Sequence, residues 1–287
     1  MKESDNENWD IVIEPRKKGF HLNLSEVWKY RDLFYMYVRR DIVVMYKQTI
    51  LGPLWFVIQP LFTMVMYMFV FGGIAGISTD GLPQPLFYMA GIICWNFFTE
   101  CLTKSSGTFI ANVNVFSKVY FPRLVVPFSS IASTFIKFLI QFGLFVLMYI
   151  YFVLKGAQIS VNYFALLSPI LILMLAGISF GVGIIISSLT TKYRDLTILF
   201  TFATQLWMYV TPIIYPLSVM EGKYEKWMWV IQLNPLTSII EAFKYGFLGT
   251  GTFSWLSLGY STLFAIVVFF IGSSIFNKVE RNFVDIV

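Results

Sequence analysis

Glu100 and Lys104, four residues apart, and Lys137 are ionisable residues set inside long, otherwise apolar stretches of this chain. Spacing of four places Glu100 and Lys104 on one helix face. Charges at that depth are costly and must face protein or water rather than lipid. Two kinds of chemistry fit them: an internal ion pair, with Glu100 meeting Lys104 or Lys137, or a polar patch on a conduit. Both stay open on sequence alone. Cys94 and Cys101 lie seven residues apart, about two turns on one helix face, which suits packing better than a disulfide or a metal site. The chain has no D-x-D cluster or phosphate clamp of the sort a transferase needs, and no G-x-x-x-x-G-K-[ST] phosphate loop. Bond-making chemistry is therefore not expected of it.

The elements that must carry these residues are marked by missing charge. Uncharged stretches run over Gln48–Thr79, Gly81–Thr99, Leu124–Ile136, Phe138–Leu154, Gly156–Thr191, Leu196–Met220 and Tyr245–Asn277. A bilayer core of about 30 Å needs about 20 apolar residues per helix, so the pattern predicts a polytopic, all-α integral membrane protein. Composition agrees: 57% of residues are hydrophobic, 13% are charged and the mean hydropathy is +0.70. The net charge of +5 is spread along the flanks of apolar runs, which argues against nucleic acid as a partner.

Six spans follow: Leu54–Ile77, Leu86–Phe109, Val126–Val153, Phe164–Leu189, Leu196–Pro212 and Trp255–Phe276. An even number puts both termini on one side. Basic residues from Lys2 to Lys47, with Lys104, Lys118, Arg123, Lys192, Arg194, Lys278 and Arg281, then share that side, against Lys155, Lys223, Lys226 and Lys244 opposite. Basic loops stay in the cytoplasm, so both termini are expected there. The polar opening MKESDNENWD does not resemble a signal peptide, and the first span should act as its own insertion signal.

Residues 1–50 read as a cytoplasmic tail and an amphipathic helix, and 51–287 as the transmembrane domain. Asn23 and Glu26 suit a capping box, and Val27, Tyr30, Phe34, Tyr37, Val38 and Met45 hold roughly one helical face, interleaved with Lys29, Arg31, Arg39 and Arg40. Such a helix lies along the membrane surface and can also abut a cytoplasmic subunit. Beyond the fifth span, residues 213–254 hold two apolar pieces too short to cross, Trp227–Leu233 and Leu236–Leu248, meeting near Asn234 and Pro235. A re-entrant pair of short helices must pack on protein or line a watery path. Glu241 and Lys244 are expected to face that path or the outer water. The G-x-x-x-G pair in AGISFGVG, Ala176–Gly183, suits close helix contact, either within the chain or between two copies.

Three strings carry a family resemblance. RRDIVVMYKQTILGPLWFVIQPLFTMVMYMFVFGG, Arg39–Gly73, includes Tyr46, Lys47, Gln48, Thr49, Leu51, Gly52, Trp55, Gln59 and Pro60. KVYFPRLVVP covers Lys118–Pro127, and LNPLTSIIEAFKYGFLG covers Leu233–Gly249. Together they resemble the membrane subunit of type-2 ABC exporters that carry O-antigen, capsule or teichoic acid polymers across the bacterial inner membrane, O-antigen exporters most of all.

That resemblance implies a permease for lipid-linked polysaccharide, working as a homodimer with two copies of a separate ATPase. ATP and Mg would belong to the partner, with no cofactor in this chain. It also implies that residues 112–123 form a coupling loop docking into the ATPase, with Phe116, Lys118, Tyr120 and Arg123 as contacts. Lys192 and Arg194, in the KYRD turn of Lys192–Asp195, are a second contact candidate and read equally as a solvated topology signal. The 19% aromatic content, together with the family's aromatic channel linings, makes Trp95, Phe98, Tyr149, Trp207, Tyr209 and Tyr215 candidates for the conduit wall beside Glu100, Lys104 and Lys137. Teichoic acid or capsule export is the neighbouring alternative; drug export and ion-coupled secondary transport are more distant.

Overall fold

The computed structural model describes residues 28–47, 50–116, 118–119, 121–193, 195–220 and 225–286. Among them there is no strand, and the secondary structure is helical. Helix α1 spans Arg31–Tyr46, α2 Trp55–Tyr67, α3 Gln84–Ser106, α4 Val125–Leu154 and α5 Ser168–Lys192. The chain continues through α6, Leu196–Val210, α7, Met228–Leu233, α8, Pro235–Leu248, and α9, Trp255–Ile286. The Asn23–Glu26 capping box lies outside the described residues, as do Gln48 and Thr49.

Five of the expected spans are helices long and apolar enough to cross a membrane. The first is completed by a π-helix, Met68–Ile74, on the end of α2. The remaining one differs. Helix α6 has 15 residues and covers about 22 Å, less than the roughly 30 Å hydrocarbon core. Pro212 cannot donate to the helical ladder and Thr211 turns extended at its C-cap, which stops the helix short of the expected Pro212.

Helices α3 and α5 form the centre. Of their most apolar stretches 78% and 67% is buried, against 11% for the α2 span, so α2, α4, α6 and α9 surround them. Tyr37 of α1, Phe109, Phe116, Phe121 and Phe276 near the end of α9 cluster at one end of the bundle. This α1 end therefore gathers α1, the 108–126 connection and the last described helix. Helix α8 lies toward the opposite end, almost wholly buried, and at about 21 Å it is too short to span.

The G-x-x-x-G string resolves into contacts within the chain. A Cβ on Gly181 would sit 2.5 Å from the Val268 carbonyl oxygen, and one on Gly272 would sit 2.6 Å from that of Gly181. Gly183 meets Ser105 of α3 just as closely, whereas a Cβ on Gly177 meets nothing within 4 Å. Helix α5 is thus seated on α9 and α3 by missing side chains. Gly181→Val should destabilise the bundle by about 1–3 kcal/mol through forced separation of α5 and α9, while Gly177→Ala stays near neutral. Thermal unfolding of the detergent-solubilised chain, followed by intrinsic fluorescence, measures both.

Candidate functional site

Three polar features break the apolar bundle, and each has its own geometry. The first is the charge set on α3 and α4. Lys137 Nζ lies 2.6 Å from Glu100 Oε2, and Lys104 Nζ lies 3.3 Å from Glu100 Oε1, so the carboxylate is shared between both lysines. Lys104 also donates to Ser133 Oγ and Thr134 Oγ1 at 3.3 and 3.1 Å. Ser133 in turn donates to Asp41 Oδ2 of α1 at 3.3 Å, and Asp41 carries a 2.8 Å ion pair with Arg40. A continuous polar chain therefore joins α1 to the last turns of α3 and the first half of α4. Side-chain exposures of 19–24% for the three central charges give the triad partial access to the outside of the chain.

The second feature lies where α6 ends. Beyond Val210 the chain runs non-helically through Thr211, Pro212, Ile213 and Ile214, all buried. Gly91 of α3 makes room for it, since a Cβ there would come within 2.9 Å of the Ile213 side chain. Lys244 of α8 donates to the Pro212 carbonyl at 2.6 Å, rests 3.8 Å over the Phe87 ring and lies 3.6 Å from Glu241. Asn234, the N-cap of α8, accepts from the Leu236 amide and from Trp207 Nε1, and donates to Thr211 Oγ1 at 2.9 Å. Glu241 and Lys244 do not face a water path: their side chains are only 3% and 2% exposed. The reason is local. A backbone carbonyl freed from a helix in an apolar interior needs a donor, and the Lys244 ammonium supplies it.

The third feature is a groove of about 820 Å³ between α3, α5 and α6. Trp95 and Tyr209 stand on its wall, and Thr99, Thr201 and Thr204 supply hydroxyls. Each of those threonines donates its proton to the carbonyl four residues earlier, at 2.8–2.9 Å. Their oxygens keep free lone pairs, so the groove presents hydrogen-bond acceptors beside aromatic faces, with the Gln205 amide also on the wall. Hydroxyl-rich, non-ionic molecules are what such a surface can hold. Thr197, Thr201, Thr204 and Gln205 share one face at spacings of four, seven and eight, a periodicity present in the sequence but not among the aromatic candidates.

The remaining candidates spread out. Phe98 is 1% exposed, inside the core against Trp95 and Trp207, and does not reach the groove. Trp207 faces Asn234 rather than the open side, and the Tyr215 hydroxyl donates to the Tyr209 carbonyl. Tyr149 sits away from α6, its hydroxyl 3.5 Å from the Ile159 carbonyl. In the 112–123 loop Phe116 is buried against Phe109 and Phe121, with Arg123 over its ring, so it anchors the loop. Lys118 and Val119 form the exposed tip. Tyr120 and Arg194 lie outside the described residues, as does the side chain of Lys192.

Residues 32–248 match the ABC-2 type transporter family, well over half of the chain. The chain belongs to that family. Among relatives of this ABC-2 chain, an O-antigen export system permease protein RfbA of Klebsiella pneumoniae is 31% identical over 256 residues, covering 89% of this chain and 95% of that protein. The RfbA permease of Myxococcus xanthus is 22% identical over 77% of this chain and 82% of its own length. The polysialic acid transport protein KpsM of Escherichia coli is 23% identical over 84% of this chain and 91% of its own. In this ABC-2 transporter, removing one member of the charge triad should cost more than removing an opposed pair. Glu100→Gln leaves two ammonium groups without their carboxylate, while Glu100→Gln with Lys137→Met restores part of the loss, a coupling of about 0.5–3 kcal/mol in a thermal-unfolding cycle. Lys244→Met orphans the Pro212 carbonyl and Glu241, and should expose Cys94, buried in the wild-type chain, to maleimide, while the wild type should stay unlabelled.

Proposed function

We propose that this chain is the permease subunit of an ATP-driven exporter that moves a lipid-linked polysaccharide of O-antigen type across the bacterial inner membrane. The observation that carries it is the groove beside α6: back-bonded threonines and aromatic faces form a non-ionic, hydroxyl-accepting wall suited to a sugar chain. Similarity to O-antigen permeases over nearly the whole chain supports the same cargo.

A second copy of the chain would close that groove. Helix α6 buries no residue within the chain, and α2 buries only Pro60 and Met64, which leaves two apolar helices with uncovered faces. Two copies meeting there would place the groove inside a conduit, and a homodimer is the assembly this supports. The motor would be a separate ABC ATPase in two copies, holding ATP and Mg. Lys118 at the tip of its loop, Arg123, Tyr120, Lys192 and Arg194 are its proposed contacts. The charge distribution supports cytoplasmic termini, with the 112–123 loop on the motor side. Capsule polymer export is the second reading, favoured by the likeness to the polysialic acid transport protein.

Deletion of the gene should abolish long-chain surface polysaccharide on electrophoresis; unchanged long-chain material would sink the reading. In the complemented strain, Thr201→Trp should block the groove and remove the long-chain bands at an unchanged permease level. Paired Thr201→Val and Thr204→Val, which keep shape and lose acceptors, should lower the export rate by about 2- to 10-fold.

A further inference from the structure

A second groove, of about 780 Å³, runs between α4 and α5 on the other side of the molecule. It is apolar along its length. Phe135, Phe138 and Phe142 form a ladder with ring centroids about 6 Å apart, and Phe97 and Phe243 extend its floor. It exists because α4 and α5, consecutive in the chain, hardly touch, and small Ala132 and Ala176 face the gap. Phe97 lies two residues from both Trp95 and Thr99, about 200° away around α3, so this groove and the hydroxyl-lined one occupy opposite faces of that helix.

The groove has a polar end. Trp28, Arg31 and Tyr35, at the start of α1, line it where it reaches the α1 end of the bundle, whereas Asp32 does not line it. From Phe128 to Phe142 the track is about 21 Å long, more than one leaflet's share of the roughly 30 Å hydrocarbon core. Leu139 and Leu173, 48% and 71% exposed, mark a side open to lipid.

We propose that this groove is a binding site for one anionic phospholipid of the bilayer, an acyl chain along the phenylalanine ladder and the phosphate against the Arg31 guanidinium. The bare apolar track selects for a hydrocarbon chain, the single basic group at one end selects for a negative headgroup, and the Trp28 ring suits headgroup depth. The lipid-linked cargo is the wrong occupant, because beyond the α1 end the track offers a sugar chain a single polar residue, Ser168. A lipid here splints α1 to α4 and α5, the helices that frame the groove. The site does not depend on which polymer the protein moves.

The test uses the full-length chain in detergent, given equal amounts of dioleoyl phosphatidylglycerol and dioleoyl phosphatidylcholine and read by native mass spectrometry. One phosphatidylglycerol per chain should be retained with about a 5-fold preference, the ratio expected of one basic residue at an anionic headgroup. Arg31→Gln should bring the ratio to about one, and Ala176→Phe should remove retention of both lipids. Phosphatidylglycerol with a photoreactive acyl chain should label residues 128–142 of the wild-type protein, a readout that does not rely on either variant folding. A wild-type ratio near one, a preference unchanged by Arg31→Gln, labelling elsewhere, retention of polyprenyl-linked polymer in the groove, or chain-to-chain cross-linking of the Leu173→Cys variant would each overturn the proposal.

Discussion

A peptide group that leaves a helix within the apolar interior must find a partner in the protein, and the architecture around α6 follows from that demand. The helix stops at Val210, and the Pro212 carbonyl that follows is met by Lys244 at 2.6 Å. Lys244 can be buried because Glu241 lies beside it and the Phe87 ring lies beneath it. Asn234 binds the same junction from the other side through Trp207 and Thr211. The end of α6, and with it the threonine face along the groove, is therefore positioned by α8. The far end of α8 is held too: Gly249 takes a left-handed φ of 78° that closes the helix, and Asn162 bonds to the carbonyls of Gly246 and Tyr245.

The two intramembrane charge sets answer different problems. Lys244 satisfies a broken backbone and is hidden by it. The Glu100 carboxylate has no broken backbone to satisfy; it binds two ammonium groups from α3 and α4, and Lys104 passes the polarity through the Ser133 hydroxyl to Asp41 on α1. One set secures the junction between α6 and α8, and the other links α1 to the last turns of α3 and the first half of α4.

Much of this order is legible in the sequence. Charge is so unfavourable in hydrocarbon that its absence marks the spans, and Pro235 after Asn234 marks the start of α8 as plainly as any helix signal does. Burial within the bundle was not legible, because the neighbour that covers a residue comes from elsewhere in the chain. Glu241 and Lys244 at a spacing of three read as an exposed pair until Pro212, more than twenty residues earlier, is seen to need a donor. Phe116, read as a contact for a partner, turns inward for the same kind of reason: Phe109 and Phe121 make an aromatic nest that no local pattern announces. The short α6 was half visible, in Pro212, but the buried extended segment after it depends on Gly91 of another helix. The threonine face was visible in full and carried no label, since threonine is common in helices of every kind.

The π-helix at the end of α2 has a mechanical consequence. Seven residues, Met68–Ile74, are wound with hydrogen-bonded rings one residue wider than those of the α-helix before them, and Gly72 lies tight against Gln84 of α3. Rewinding that stretch to α geometry would absorb the surplus residue, turning what lies before it by about 100° and drawing it along the axis by about 1.5 Å, with every ladder bond re-formed. Tyr67, whose hydroxyl touches Met208 of α6, sits immediately before the stretch. Helix α2 thus holds a screw thread with one residue of slack, a little over a quarter-turn, beside the helix that carries the threonines.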